Sequence, residues 1–329
     1  MDSGTGLTAG GRTNMRAARY TGAGAAATVI SFEDLDAPVA GPGEVLIRVA
    51  AVGLNPVDVK IRAAGHDFGP IRYADRPGWD VAGTIVEVGA GVRGWAQGDD
   101  VFALARFPEA AQTLAELVAV PADDLAAAPR AWSAAQAGAA PLAALTAWQA
   151  LDAAGIREGD AARVLVLGGA GGVGHLAVQL AAARGAHVLA TAGAAKQALV
   201  AGWGADEVID YRDGAALAAI GPVDAVIVTV SDTLPPRGAV AEGTAVVTIT
   251  GFSAAQEEEL RGWGAEPVQR ILVAADGAQL AGVAALADAG RITVHLDSEY
   301  AFDDLAAAEE RVETGRVTGK VVVLVDPAG

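Results

Sequence analysis

Three glycines, Gly169, Gly171 and Gly174, stand at G-x-G-x-x-G spacing within "RVLVLGGAGGVGHLAVQLA", residues 163–181. The apolar run before them reads as a strand, and apolar residues return after them at helical spacing. That setting gives the glycines a chemical use. Gly169 makes a tight turn, Gly171 lets the backbone approach a pyrophosphate, and Gly174 lets helix and strand pack closely, which together form a dinucleotide cradle. The helix beginning near Val173 would turn its unpaired N–H groups and positive dipole end toward the phosphates.

The adenosine end of such a cradle selects the dinucleotide. An acidic residue about 20 positions further on would hydrogen-bond the ribose of NAD, yet "ATAGAAKQ", residues 190–197, holds no Asp or Glu. Lys196 either pairs with a 2′-phosphate or is a solvated helix residue. Tyr211, which ends "EVIDY", follows the next strand and is placed to reach the same phosphate. The expected cofactor is therefore NADP(H).

Other chemistries find few residues. The chain has no cysteine, which removes disulfides, thiolate catalysis and cysteine-bound zinc or iron–sulfur clusters. His66, His175, His187 and His295 are scattered, without a close pair at metal-ligand spacing. A net charge of −17 repels nucleic acid and anionic membrane surfaces, so neither is an expected partner. No apolar run approaches the ~18 residues of a membrane helix, and a composition 52% hydrophobic and 19% charged is that of a packed globular chain.

The elements that must position the cradle are legible in outline. Residues 1–14, "MDSGTGLTAGGRTN", read as a flexible leader. "EVLIRVAAVG" (44–53), "DVAGTIVEVGAGV" (80–92) and "GDDVFAL" (98–104) read as strands broken by Gly and Asp, so the first part is mainly β. Residues 133–155 are Ala-rich with helical spacing. Strands and helices then alternate: "RVLVL" (163–167), "HVLAT" (187–191), "EVID" (207–210), "AVIVTV" (225–230) and "TAVVTIT" (244–250), with helical segments between the first three. Such alternation builds a doubly wound parallel sheet with helices on both faces. Beyond Asp276 come a helical stretch, "RITVHL" (291–296), a helix at 303–314 and a strand "KVVVLV" (320–325), a tail expected to complete the β-rich part.

This order of parts, with "VGLNPVDVKIRAAG", "PGWDVAGTIVEVG", "GGAGGVGHLAVQLA", "LTAWQAL", "GADEVIDY" and "GKVVVLV", resembles the medium-chain dehydrogenase/reductase superfamily, in its zinc-independent quinone oxidoreductase branch. The resemblance covers Met15 to Val325 and implies an α/β protein: a GroES-like β-rich catalytic domain (15–128 and 277–329), a Rossmann domain (129–276), and a substrate cleft between them. It implies that Asn55, of the N-x-x-D motif, and Thr146 lie beside the nicotinamide, and that Gly171, Gly172 and Val173 lie under the pyrophosphate. Thr229, Ser231 and Phe252 stand where further cofactor contacts are expected. Asp58 reads equally as a local helix cap. Zinc-dependent alcohol dehydrogenases of the superfamily place a cysteine in the segment matched by "GLNPVD" and a histidine at the position of Trp79, and this sequence has neither. Enoyl thioester reductases carry a tyrosine proton donor shortly after the N-x-x-D segment. No Tyr stands there, although Tyr73 follows, and the proton source is His66, Tyr73 or water.

Without a metal Lewis acid, the expected reaction is hydride transfer from NADPH to a quinone or an activated enone. A tailoring reductase acting on a larger polycyclic or enoyl substrate and a non-catalytic NADPH-binding protein are the alternative readings, with Pro70–Trp79 and Phe252–Trp263 lining the wider pocket of the former. The resemblance also implies a cytoplasmic homodimer, for which "VQRILVA" (268–274) is the expected edge strand.

Overall fold

The computed structural model describes residues 14–72 and 75–326. The expected leader up to residue 13 and Tyr73 lie outside the described residues, and Asn14 already opens the strand Asn14–Tyr20. Two compact units divide the chain. One comprises the described residues up to Leu142 with Ala274–Asp288 and the residues from Leu296 onward; the other is Ala143–Val273 with Ala289–His295.

Among the described residues, the first unit holds a seven-stranded sheet and a two-stranded hairpin of Asn14–Tyr20 with Ile30–Asp36. The sheet is organised on Glu44–Leu54, where Val45, Ile47, Val49, Ala51 and Val52 have no exposure. Asp80–Val88 pairs along one side of this strand. Its other side pairs first with Leu117–Pro121 and then, from Ala51 to Leu54, with the returning strand Lys320–Leu324. All three pairings are antiparallel, so the end of the central strand meets the beginnings of Asp80–Val88 and Lys320–Leu324. The helix Ala134–Ala139 presses on the same place. A Cβ on Gly53 would stand 2.8 Å from the Ala139 Cα, and one on Gly138 would stand 2.6 Å from the Ala51 carbonyl oxygen.

Among the described residues, the second unit is a six-stranded all-parallel sheet. Its order is Glu207–Ile209, His187–Thr191, Arg163–Leu167, Ala225–Val228, Ala245–Thr248 and Val268–Arg270. The chain starts in the middle, winds outward to one edge, then crosses back and winds to the other. The reversal lies between Arg163–Leu167 and Ala225–Val228, and a doubly wound sheet opens its ligand crevice at the carboxyl ends of such a pair. This is the α/β architecture expected from the alternation of strands and helices.

Three segments differ from expectation for physical reasons. The helical span at 133–155 is two helices, Ala134–Ala139 and Pro141–Ala153. Pro141 has no N–H to continue the first, while Ser133 and Gln136 close a capping box at its start (3.1 and 3.2 Å). "RITVHL" joins no sheet before Leu296. The Gln179 amide instead donates to the Thr293 carbonyl (2.9 Å) and accepts its N–H (2.7 Å), side-chain bonds that replace a ladder. Of "VQRILVA", Val268–Arg270 is strand and lies at the sheet edge, but Ile271 to Ala274 leave it.

Candidate functional sites in the two units

In the second unit the chain leaves Arg163–Leu167 through Gly168, whose φ of +83° is left-handed backbone that favours glycine. The tight turn thus falls one residue before Gly169. Thr191 holds this turn from the neighbouring strand, accepting Gly168 N–H on Oγ1 (3.0 Å) and Gly169 N–H on its carbonyl (2.9 Å). A Cβ on Gly174 would stand 2.0 Å from the Gly168 carbonyl oxygen, and one on Gly169 would stand 2.9 Å from the Ala190 Cβ. Both glycines are therefore packing requirements. Gly171 differs: a Cβ there would meet only the Gly168 oxygen, at 3.4 Å.

The helix Gly174–Ala183 follows, and at its start the His175 N–H bonds to Gly171 O (3.0 Å). Gly172 and Val173, both half-buried, precede it at the positive end of the helix dipole. The cradle is braced from inside by the buried ring of His175. Its Nδ1 lies 3.1 Å from Gly171 O, its Nε2 accepts the His295 N–H (3.3 Å), and the Trp203 ring lies 5.4 Å from each of the two histidine rings, tilted 58° and 59° to them. Those two bonds select the tautomer protonated on Nδ1. Thr229, at the end of Ala225–Val228, donates its hydroxyl to Leu167 O (2.7 Å) beside the turn. Phe252 is half-buried against the apolar core of the same sheet.

Beyond the strand His187–Thr191, Gly193 is the meeting point. A Cβ there would lie 3.5 Å from Tyr211 Cε1 and 3.5 Å from Arg212 Nη2. Lys196 is half-buried and its N–H bonds back to Gly193 O (2.8 Å); Tyr211 is 59% exposed, with the Arg212 guanidinium 5.4 Å from its ring centre. Sequence reasoning missed Arg212 and also Asp210. The register Ile209↔Thr191 carries Asp210 next to the segment after Thr191, where its carboxyl accepts a hydrogen bond from Ala194 N–H. Arg212 holds that carboxylate through Nε and Nη2, both at 3.0 Å, and its hydrogen bonds keep Asp210 below the usual carboxylate range. A search along one strand end finds no acid; the adjacent strand supplies one together with a cation.

In the first unit, Asn55 ends the central strand and precedes the helix Pro56–Ala64, which starts with proline at its first position. Its side chain is 2% exposed and engaged at both ends: Nδ2 donates to Asp80 Oδ2 (2.8 Å) and Oδ1 accepts from Lys320 Nζ. Lys320 also donates to Leu54 O (3.0 Å) and stands 3.5 Å from Asp80 Oδ2, while Asp80 Oδ1 accepts Leu142 N–H (2.6 Å). Lysine offers only donors and carboxylate only acceptors, so the Asn55 amide orientation is fixed by chemistry. Burial pushes Lys320 below the ordinary lysine value and Asp80 above the ordinary carboxylate value. Asp58 caps the helix by accepting Asn55 N–H on Oδ2 (2.8 Å).

Trp79 is buried, donates its indole N–H to Glu109 O (2.7 Å) and packs edge-on to Phe107. His66 is exposed, with Nδ1 2.8 Å from Asp67 O. Thr146 is buried in the helix Pro141–Ala153 of the second unit. Among the described residues, no group of three or more His, Cys, Asp or Glu could hold a metal ion, and no helix is long and apolar enough to cross a membrane.

The chain matches two family models. An alcohol dehydrogenase GroES-like domain covers residues 41–130, and a zinc-binding dehydrogenase domain covers 203–323. A 2-methylene-furan-3-one reductase of Solanum lycopersicum is 33% identical over 320 residues, covering 94% of this chain and 79% of that protein. A chloroplast envelope quinone oxidoreductase homolog of Arabidopsis thaliana is 40% identical over 210 residues, covering 62% of this chain and 64% of that protein. The solved quinone oxidoreductase of Coxiella burnetii superposes with a TM-score of 0.83 at 29% identity, covering 95% of this chain and 100% of that one. With the switch-point cradle, these likenesses lead to one conclusion: the chain belongs to the quinone oxidoreductase-like branch of the medium-chain dehydrogenase/reductase superfamily, oxidoreductases that work with a nicotinamide cofactor.

Proposed function

We propose that the protein transfers hydride from NADPH to an electrophilic carbon of a quinone or an activated enone, without a metal ion. The observation that carries this reading is the glycine cradle at the switch point, with the Tyr211 and Arg212 side chains beside Gly193 and the Lys196 main chain bonded to it. The residues fit the cofactor. Gly171 leaves space where a Cβ would intrude, the amides of Gly172 and Val173 and the following helix dipole bind the pyrophosphate, and the cations at Gly193 meet the 2′-phosphate. When bound, the reduced nicotinamide supplies the hydride. Asn55, held by Lys320 and Asp80, and Thr146 are the side chains this reading assigns to the nicotinamide.

Zinc does not fit the donor set. The chain has no cysteine, Trp79 commits its N–H to Glu109, and Asp80 is occupied by Lys320, Asn55 and Leu142. No step of the proposed reaction is routed through a metal. The relatives' names point to the same acceptor classes, a furanone with a conjugated methylene and a quinone. Assays with NADPH and NADH against panels of quinones and enones test the reading. NADPH-dependent turnover that survives chelator treatment is expected, and no turnover with either class of acceptor overturns it.

Asp210 favours a second reading of the cofactor, because a carboxylate beside Gly193 is also what binds the ribose diol of NADH. Lys196→Ala and Arg212→Ala are each expected to raise the KM for NADPH about tenfold, as loss of one charge-assisted hydrogen bond does, with little change for NADH. If Asp210 reads the ribose instead, Arg212→Ala frees the carboxylate and lowers the KM for NADH. A homodimer joined along the edge strand Val268–Arg270 belongs to the same proposal, and light scattering of a stable monomer would remove it.

A further inference from the structure

The helix that follows the glycine cradle is gripped along one face by the segment Ala289–His295 of the same unit. Arg291 Nη2 donates to Ala183 O (3.1 Å), the Gln179 amide exchanges two hydrogen bonds with the Thr293 main chain (2.9 and 2.7 Å), and His175 Nε2 accepts the His295 N–H (3.3 Å). Helix positions four apart thus meet strap positions two apart. The spacing matches, since four helical residues rise about 6 Å and two residues of extended chain about 6.6 Å. Between the three grips, Ile292 and Val294 are buried, so the strap is seated along its length.

The last grip reaches the cradle. With Nε2 accepting from the strap, the ring proton sits on Nδ1, 3.1 Å from Gly171 O. Gly171 O therefore faces His175, whose own N–H it also accepts (3.0 Å). The Gly171–Gly172 peptide is trans, so its N–H points away from its C=O and thus away from the ring. Gly172 is half-buried, and neither Gly172 nor Val173 donates its N–H to an acceptor among the described residues. A peptide between two glycines has little steric resistance to turning over, so its direction needs an outside clamp. His175 has no exposure and is out of reach of a bound nucleotide.

We propose that His175 is a positioning residue for the cofactor: anchored by the strap at Nε2, it holds the Gly171 carbonyl inward with Nδ1–H and so presents the Gly172 N–H to the pyrophosphate. The inference rests on the dinucleotide reading above. The strap decides where the ring stands, the ring decides which way the peptide faces, and the peptide decides whether the cradle offers a donor or an acceptor to an anion. With the peptide reversed, a carbonyl oxygen would face the phosphates and repel them.

Two substitutions separate the ends of the ring. His175→Asn keeps a donor at the place of Nδ1 and drops the acceptor; His175→Gln keeps an acceptor at the place of Nε2 and drops the donor. Calorimetric titration compares the dinucleotide that the wild type binds more tightly, NADPH or NADH, with its fragment lacking the pyrophosphate, adenosine 2′-monophosphate or adenosine. His175→Gln is expected to raise the Kd for the dinucleotide about tenfold, the scale of one hydrogen bond, and His175→Asn to stay within about threefold of the wild type. The fragment should bind both variants as it binds the wild type. Equal weakening of dinucleotide and fragment in His175→Gln, or a loss in His175→Asn as large as in His175→Gln, overturns the proposal. Nitrogen-15 NMR of the wild type tests it even if neither variant folds. The ring proton is expected on Nδ1 with Nε2 bare, and adding the dinucleotide should move the Gly172 amide resonance; a proton on Nε2 or an unmoved Gly172 amide overturns the proposal. Binding without turnover of any acceptor sinks the reductase reading alone, whereas a wild type that binds neither NADPH nor NADH removes the cradle and this proposal together.

Discussion

Lys320→Met is expected to destabilise the first unit by about 3–5 kcal/mol, the range for removing one partner of a buried ion pair. Lys320 is 3% exposed and is the donor that satisfies Leu54 O and Asn55 Oδ1 while facing Asp80 at 3.5 Å. Methionine fills a similar volume but leaves two buried acceptors without a donor and Asp80 without a counter-charge. The double variant Lys320→Met, Asp80→Asn should recover part of the loss, because it removes the stranded charge along with its partner. Urea titration of the single and double variants measures both effects. A loss below about 1 kcal/mol for the single variant would place this pair with surface ion pairs and remove it as the anchor of Asn55.

Gly174→Ala is expected to raise the Kd for NADPH by at least about 100-fold, ~2.7 kcal/mol, and to lower stability by about 1–3 kcal/mol, as overpacking does. The added Cβ would sit 2.0 Å from Gly168 O and 2.8 Å from its carbonyl carbon, so the obstacle is backbone and the turn itself must move. Gly171→Ala separates the two causes. Its Cβ would come no closer than 3.4 Å to the protein, so the fold should keep its stability while the methyl group occupies space meant for the pyrophosphate. Fluorescence titration with NADPH beside thermal unfolding of both variants checks the pattern. If Gly171→Ala binds NADPH as the wild type does, the pyrophosphate does not lie against Gly171.

The pH dependence of stability gives a milder expectation. Burial raises Asp58 in the folded protein, so its contribution is whole at pH below the ordinary carboxylate value and is lost as pH rises through the folded value. Asp58→Asn, which stays neutral, should flatten that alkaline decline. Glu309, Tyr20 and Asp80 are also raised by burial and keep their own share of it.

Local rules made the cradle readable. A strand, a glycine cluster and a helix adjoin in sequence, and their order needs no distant contact to be seen, so "RVLVL" and "GHLAVQLAAA" appear as Arg163–Leu167 and Gly174–Ala183. The left-handed turn at Gly168 was hidden, because five glycines in a short run give no local sign of which one takes positive φ. Pro141 is visible in sequence but its break was masked by the alanine-rich helical texture on both sides.

What the sequence by itself determined is the class of fold, the place of the strand–glycine–helix turn and the absence of cysteine ligands. The tertiary structure alone brought Asp80 and Lys320 to Asn55 from 25 and 265 residues away, through antiparallel register on both sides of one strand. It likewise carried Asp210 and Arg212 to Gly193 through the pairing of Ile209 with Thr191, and left Asp58 Oδ1 in a cavity without a partner. The physical reason is common to all three. Periodicity and turn chemistry act over a few residues, whereas which polar group meets which inside a sheet is fixed by strand order and register, and these follow from burying the whole core at once.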